Sequence, residues 1–227
     1  MFYLALSCLQ GLASKEVLET YIELQKETIK FGIQLTGGNI PYLNLQEDLE
    51  INNIPYKIHH NFDWNTKLVP VWNSKGKLLK FDSDSIHPPF KNKVKDQDFW
   101  NNSVNDCIEN NIALEIMYKE YFLGNTNEIN RILDTNIPIA LDVSHLNLMR
   151  VQKLIDSDTI KRLLNYSNIS EIHVSHNQGY RDSHELMNKD TYLLDWAKER
   201  KDIPLVLECY FHKLTKEQRI QQINMCL

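Results

Sequence analysis

The sequence predicts an α/β fold, a small (β/α)8 barrel, and three observations carry that expectation. Short apolar, strand-like runs alternate with helical segments of ten or more residues, which implies parallel pairing through right-handed crossovers. About eight such runs can be counted in 227 residues, near the lower end for one barrel. Many of the runs end on an acid or a histidine, as expected where strand ends converge on one mouth rather than at the single switch point of an open sheet.

Taken in order, Phe2 to Ser7 reads as the first strand and Ser14 as the N-cap of a helix reaching about Lys30. Gly32 to Thr36 is a second strand, ended by Gly37-Gly38. A weak helix follows from Tyr42 to Ile51, then a third strand, Ile54 to Phe62, carrying His59 and His60 near its end. Between Asp63 and Lys95 the alternation breaks down. Apolar residues there flank a Ser74-Lys75-Gly76 turn, which reads as a hairpin-like excursion, and an irregular fourth strand is expected inside this segment.

Regular order resumes with a helix from about Asp96 to Asn110. Strands are then expected at Ile112 to Tyr118, Pro138 to Val143, Glu171 to Ser175 and Ile203 to Tyr210. The helices lie around Asn125 to Leu133, Leu148 to Asn165, Lys189 to Glu199 and Thr215 to Cys226. No repeat, low-complexity tract or linker divides the chain, so residues 1 to 227 are read as a single domain.

The totals exclude several classes of function. Apolar content of 42% and charged content of 24% are those of an ordinary globular protein. A formal net charge of −5 gives no general attraction to nucleic acid or an anionic membrane. The apolar N-terminus lacks the positive region of a signal peptide, and no run reaches the roughly 18 apolar residues of a membrane span. Four scattered cysteines, none in C-x-x-C spacing, read as reduced thiols of a cytoplasmic protein. The expected partner is a small molecule, and homo-oligomerisation is compatible with the sequence.

The chemistry concentrates at the strand ends. In a parallel barrel Glu115, Asp142, His173 and Glu208 would meet over the axis, giving three carboxylates and one imidazole. Unpaired buried carboxylates repel one another and would protonate, a conflict that a divalent cation resolves. Carboxylate-rich ligation suits Mn²⁺, Mg²⁺ or Co²⁺ at a single-ion site. Further histidines shift the preference towards Zn²⁺ or Fe²⁺ in a multinuclear one, and His145, His184, His60 or His59, and His87 are available. His60 is preferred to His59 because it shares parity with Tyr56, Ile58 and Phe62, a choice that a slip of one residue reverses.

Four motifs, ALEI at Ala113 to Ile116, LDVSH at Leu141 to His145, IHVSHNQGYRDSH at Ile172 to His184 and LVLE at Leu205 to Glu208, agree in order and spacing with a known superfamily. Over about half its length the chain resembles the xylose isomerase-like TIM barrels, which include sugar and sugar phosphate isomerases and epimerases and endonuclease IV. The resemblance implies that Glu115, Asp142, His173 and Glu208 are metal ligands. It also implies that Glu115 and Glu208 form an acid-base pair acting through a metal-stabilised enediolate, with His145 contacting substrate. Arg181 would supply a basic substrate contact. An endonuclease IV-like phosphodiesterase or a multi-iron oxidase would instead use the larger set, with Asp182, His184, His60 and His87 as additional ligands.

The chain departs from many members after the D-x-H of Asp182 to His184, where Asn188-Lys189-Asp190 replaces a G-x-G segment. Its short length leaves little room for long DNA-binding loops. The leading expectation is therefore a metal-dependent isomerase or epimerase of a small sugar or sugar phosphate, and the alternative a multinuclear hydrolase or oxidase. A non-catalytic binding barrel is a third reading. Bland roles are expected for Cys209, which should face away from the mouth, for Trp64, Trp72 and Trp100 as packing residues, and for His176 and His212 as loop residues.

Overall fold

The computed structural model describes residues 1–9, 14–37, 45–64 and 70–227. Eight strands form a closed, all-parallel barrel: β1 (Phe2–Ala5), β2 (Gly32–Thr36), β3 (Tyr56–His59), β4 (Ser85–Ile86), β5 (Ala113–Glu115), β6 (Ile139–Asp142), β7 (Ile169–Val174) and β8 (Leu205–Leu207). Closure follows from β1, which pairs in parallel with β2 on one side and β8 on the other. The strands read as near-continuous apolar runs because both faces are covered, one by the barrel interior and one by helices.

The helices are α1 (Ser14–Glu27), α2 (Leu45–Ile51), α3 (Gln97–Glu109), α4 (Thr126–Leu133), α5 (Val143–Val151), α6 (Ser157–Leu164), α7 (Leu194–Glu199) and α8 (Lys216–Met225). Single 3-10 turns occur at Leu6–Leu9 and Lys91–Lys93. Asp96, Asn125 and Asp156 each cap a helix by accepting a backbone N–H, and Thr215 forms a capping box with Gln218. Among the described residues no helix is long and apolar enough to cross a membrane. All four cysteines are free and buried.

The irregular segment contains what the sequence led us to expect. Trp72 and Leu78 pair antiparallel around the Ser74-Lys75-Gly76 turn, and β4 follows as a two-residue strand. The Asp84 carboxylate accepts from Ile58 N at 2.7 Å and fastens this segment to β3. Gly38, the 42–44 start of the expected second helix and Val69 lie outside the described residues.

Three boundaries differ from expectation. The single helix expected over 148–165 is two helices, because Asp142 caps α5 immediately after β6, accepting from Ser144 N at 2.6 Å and His145 N at 3.1 Å. Lys153, at φ 58°, then ends that helix, and Asp156 starts the next. The helix expected from Lys189 begins only at Leu194, after Leu193 at φ 55°. Paired strands are also shorter than their apolar runs, since barrel pairing requires only the central residues of each run.

Candidate metal centre

Register places the expected residues at one end of the barrel. Asp142 and His173 are direct neighbours across β6 and β7. Glu115 ends β5, and Glu208 and His87 each lie one residue beyond a strand. Glu115, Asp142, His145, His173 and Glu208 are buried, none more than 6% exposed.

Glu115 is the hub. Its Oε1 lies 3.1 Å from His145 Nδ1, while its Oε2 lies 3.3 Å from His59 Nε2, 3.4 Å from His87 Nε2 and 3.8 Å from His173 Nδ1. Glu208 Oε1 approaches the same Nδ1 of His173 at 3.2 Å. Asp182 Oδ2 meets His145 Nε2 at 3.2 Å and His184 Nε2 at 3.3 Å. Four triads bring ligand atoms within 4.8 Å of one another: Asp142–His173–Glu208, Glu115–Asp142–His145, His59–His87–Glu115 and His59–Glu171–His173.

These residues fit a cation. Glu115 Oε2, Asp142 Oδ2, His173 Nδ1 and His184 Nδ1 are buried without a hydrogen-bond partner, although such groups are normally satisfied. Several of them face like-charged or lone-pair-bearing neighbours, an arrangement that a proton or a metal ion must complete.

The electrostatics of these residues agree. Burial works against charge on His173, but Glu208 and Glu171 outweigh it and raise the imidazole to about 10. His184 is raised to about 9 against the same burial, by Asp182. Burial pushes Glu208 up to about 7 despite His173. Burial drives His59 down to about 3 despite Glu115 beside it, with His87 and His173 pushing the same way, and it stays neutral, the form that ligates metal.

One placement differs from the sequence reading. The imidazole that meets Glu115 belongs to His59 and not to His60. His60 turns out of the strand at φ 55°, which ends the parity argument. It stacks on His87 with centroids 4.1 Å apart, and its Nδ1 accepts from His87 N at 3.2 Å. His60 lines the cavity but joins no triad, and the same holds for Asp182 and His184. Arg181 is exposed and does not line the cavity.

Residues with bland expectations lie elsewhere. Trp72 donates its indole N–H to His87 O at 3.2 Å, Trp100 stacks on Phe122, and Trp64 packs edge-on against Phe62. Cys209 points its thiol at Gln222, and burial pushes it up to about 12. His176 is held by Gln178 and Thr191.

The sequence reading missed a polar layer beneath the site, formed by Gln34, Lys57, Ser85 and Glu171. Its signal was present: Lys57 and Glu171 stand two residues before His59 and His173, on the same strand faces.

The cavity that Glu115, His145 and Glu208 line is about 260 Å³, with Met117, Tyr118, Tyr121 and Tyr210 also in its wall. In sequence comparisons the chain matches no protein-family model and no curated protein. Among solved structures, it is similar to D-allulose 3-epimerase from Methylomonas sp. in complex with D-allulose, at TM-score 0.61 and 13% identity, covering 99% of this chain and 88% of that one. L-Ribulose 3-epimerase matches at TM-score 0.57 and 11% identity, covering 98% and 86%. Amidohydrolase 2 from Bifidobacterium longum subsp. infantis matches at TM-score 0.51 and 12% identity, covering 98% and 88%. The shared fold is the (β/α)8 TIM barrel. At these identities the likeness is one of architecture, and that barrel supports more than one chemistry.

Proposed function

We propose that the protein is a divalent-metal-dependent isomerase or epimerase acting on a small sugar. The observation that carries this reading is the convergence of Glu115 and Glu208 on Nδ1 of His173, with Asp142 beside them and Glu115 Oε2, Asp142 Oδ2 and His173 Nδ1 buried without a hydrogen-bond partner. Glu115, Asp142, His173 and Glu208 would hold the cation, which when bound would polarise the sugar oxygens and offset developing negative charge. One glutamate removes the proton from the carbon beside the carbonyl and the other returns a proton. Return to the opposite face of that carbon gives epimerisation, and return to the neighbouring carbon gives isomerisation. His145 contacts a substrate oxygen.

The cavity supports a substrate of monosaccharide size. Its volume of about 260 Å³ falls below the roughly 300–1,000 Å³ of pockets for drug-sized ligands. Among the described residues no lysine or arginine lines it, which favours a free sugar over a sugar phosphate. The complex of the Methylomonas epimerase with D-allulose points to the same substrate class.

A second reading rests on a specific observation. His59 and His87 bring their Nε2 atoms to 3.1 Å from each other, beside Glu115, and thus offer more donors than one ion needs. A multinuclear hydrolase or oxidase holding Zn²⁺ or Fe²⁺ would use them together with His145, Asp182 and His184. Elemental analysis of protein purified without chelator, followed by a panel of free ketoses, separates the two. About one Mn, Mg or Co per chain with ketose turnover supports the epimerase. Two or three Zn or Fe per chain, with no sugar turned over, supports the multinuclear enzyme.

A further inference from the structure

Glu171 is wholly buried at the floor of the site and shares one triad with His59 and His173, but it is not among the four proposed ligands. Its Oε1 accepts from His173 Nε2 at 2.9 Å, from Gln34 Nε2 at 3.3 Å and from Ser85 Oγ, and its Oε2 lies 2.8 Å from Lys57 Nζ. Ser85, having given its hydrogen to Glu171, accepts from His59 Nδ1 at 2.8 Å. One carboxylate thus orients two imidazoles, one directly and one through a hydroxyl. In both rings the remaining nitrogen is the one turned towards Glu115: Nδ1 of His173 and Nε2 of His59.

Burying a carboxylate and an ammonium costs several kcal/mol per ion, and apolar residues of similar size are often no worse for stability. The barrel therefore does not need this pair to close. Although Glu171 shares a triad with His59 and His173, its Oε1 faces three donors and its Oε2 the Lys57 ammonium, so the carboxylate is committed to these neighbours. Carboxylates that accept the second N–H of ligating histidines, by contrast, recur at metal sites, where they fix ring orientation and basicity.

We propose that Glu171, anchored by Lys57, is the shared positioning residue of the centre, presenting His173 through Nδ1 and, by way of Ser85, His59 through Nε2 to bound cations. The inference rests on the metal-site reading above, but it is tested separately, with metal alone and without turnover.

The test uses Zn²⁺ as probe on the full chain. Titration calorimetry on E171Q, and on the charge-balanced K57Q/E171Q, which leaves no buried charge unpaired, is expected to show affinity about 10- to 100-fold weaker than wild type, with the melting transition of the double variant retained. S85A weakens only the ion that His59 holds. Nitrogen NMR of the Zn²⁺-loaded wild type, which depends on no variant, is expected to show His173 bound through Nδ1 and His59 through Nε2. Wild-type affinity in K57Q/E171Q, or His173 bound through Nε2, overturns the proposal while leaving the metal site standing. Failure of the wild type to bind Zn²⁺ or Mn²⁺ overturns both.

Discussion

Asp142 and His173 stand directly opposite each other on β6 and β7, so one rung of the barrel delivers two candidate ligand side chains to the same mouth. Asp142 spends Oδ1 capping α5 and leaves Oδ2 without a hydrogen bond, while His173 spends Nε2 on Glu171 and turns an Nδ1 without a hydrogen bond towards Glu208. Each side chain is half structural and half available, and the available halves face the same space.

Glu115→Gln and Glu208→Gln should each remove one member of the acid-base pair while keeping its shape. Steady-state turnover of the best ketose is expected to fall by about 10²- to 10⁴-fold in kcat. Because both residues are also proposed ligands, metal content must be measured beside the rate. A variant with full metal and full activity would remove that glutamate from the proposed mechanism.

The two adjacent histidines of β3 should behave differently. His59→Ala is expected to lower the metal content of any multinuclear form and to weaken cation binding, since its Nε2 is 3.3 Å from Glu115. His60→Ala, which loses a stack on His87 and the acceptor of His87 N but no contact to Glu115, should leave metal per chain unchanged. Elemental analysis of the two proteins side by side decides the matter, and the reverse pattern would restore the parity argument.

Stability of the chelator-treated protein should fall as pH rises. His173 and His184 are raised from 6.5 to about 10 and about 9, so the stability they contribute is complete below about 6.5 and is lost as pH climbs through those values. Glu208, raised from 4.5 to about 7, acts in the same sense and loses its contribution as pH passes neutrality. Thermal melts from pH 6 to pH 10 should therefore show a declining Tm. Added Mn²⁺ should raise Tm most at the alkaline end, where protons no longer compete for the ligands. A Tm independent of pH without metal would contradict this account.

Tyr121 offers a test of the substrate wall. It stacks on Phe90 at 4.0 Å, lies edge-on to His87 and lines the cavity. Tyr121→Ala is expected to lower kcat/KM for a ketose by about tenfold, the equivalent of one well-placed aromatic contact. Metal per chain should stay the same, and a loss of metal in this variant would show that the aromatic wall supports the ligands rather than the substrate.

Much of this protein was readable along the chain. Alternating strands and helices, and acids or histidines closing Ala113–Glu115, Ile139–Asp142 and Leu205–Glu208, were enough for the barrel and for the residues that meet at its mouth, because both are written in local periodicity. The hairpin around Ser74-Lys75-Gly76 was readable for the same reason: turn chemistry is local.

Tertiary structure decided the rest. Whether His59 or His60 enters the site depends on a single backbone dihedral at the end of β3, which no alternation pattern encodes. The split into α5 and α6 depended on whether Asp142 turned its side chain back onto its own backbone. The layer of Gln34, Lys57, Ser85 and Glu171 comes from four different strands separated by up to 137 residues, and only barrel closure makes them neighbours. A sequence shows which side chains share a strand face, whereas a hydrogen-bond network across strands exists only once the register of all eight is set.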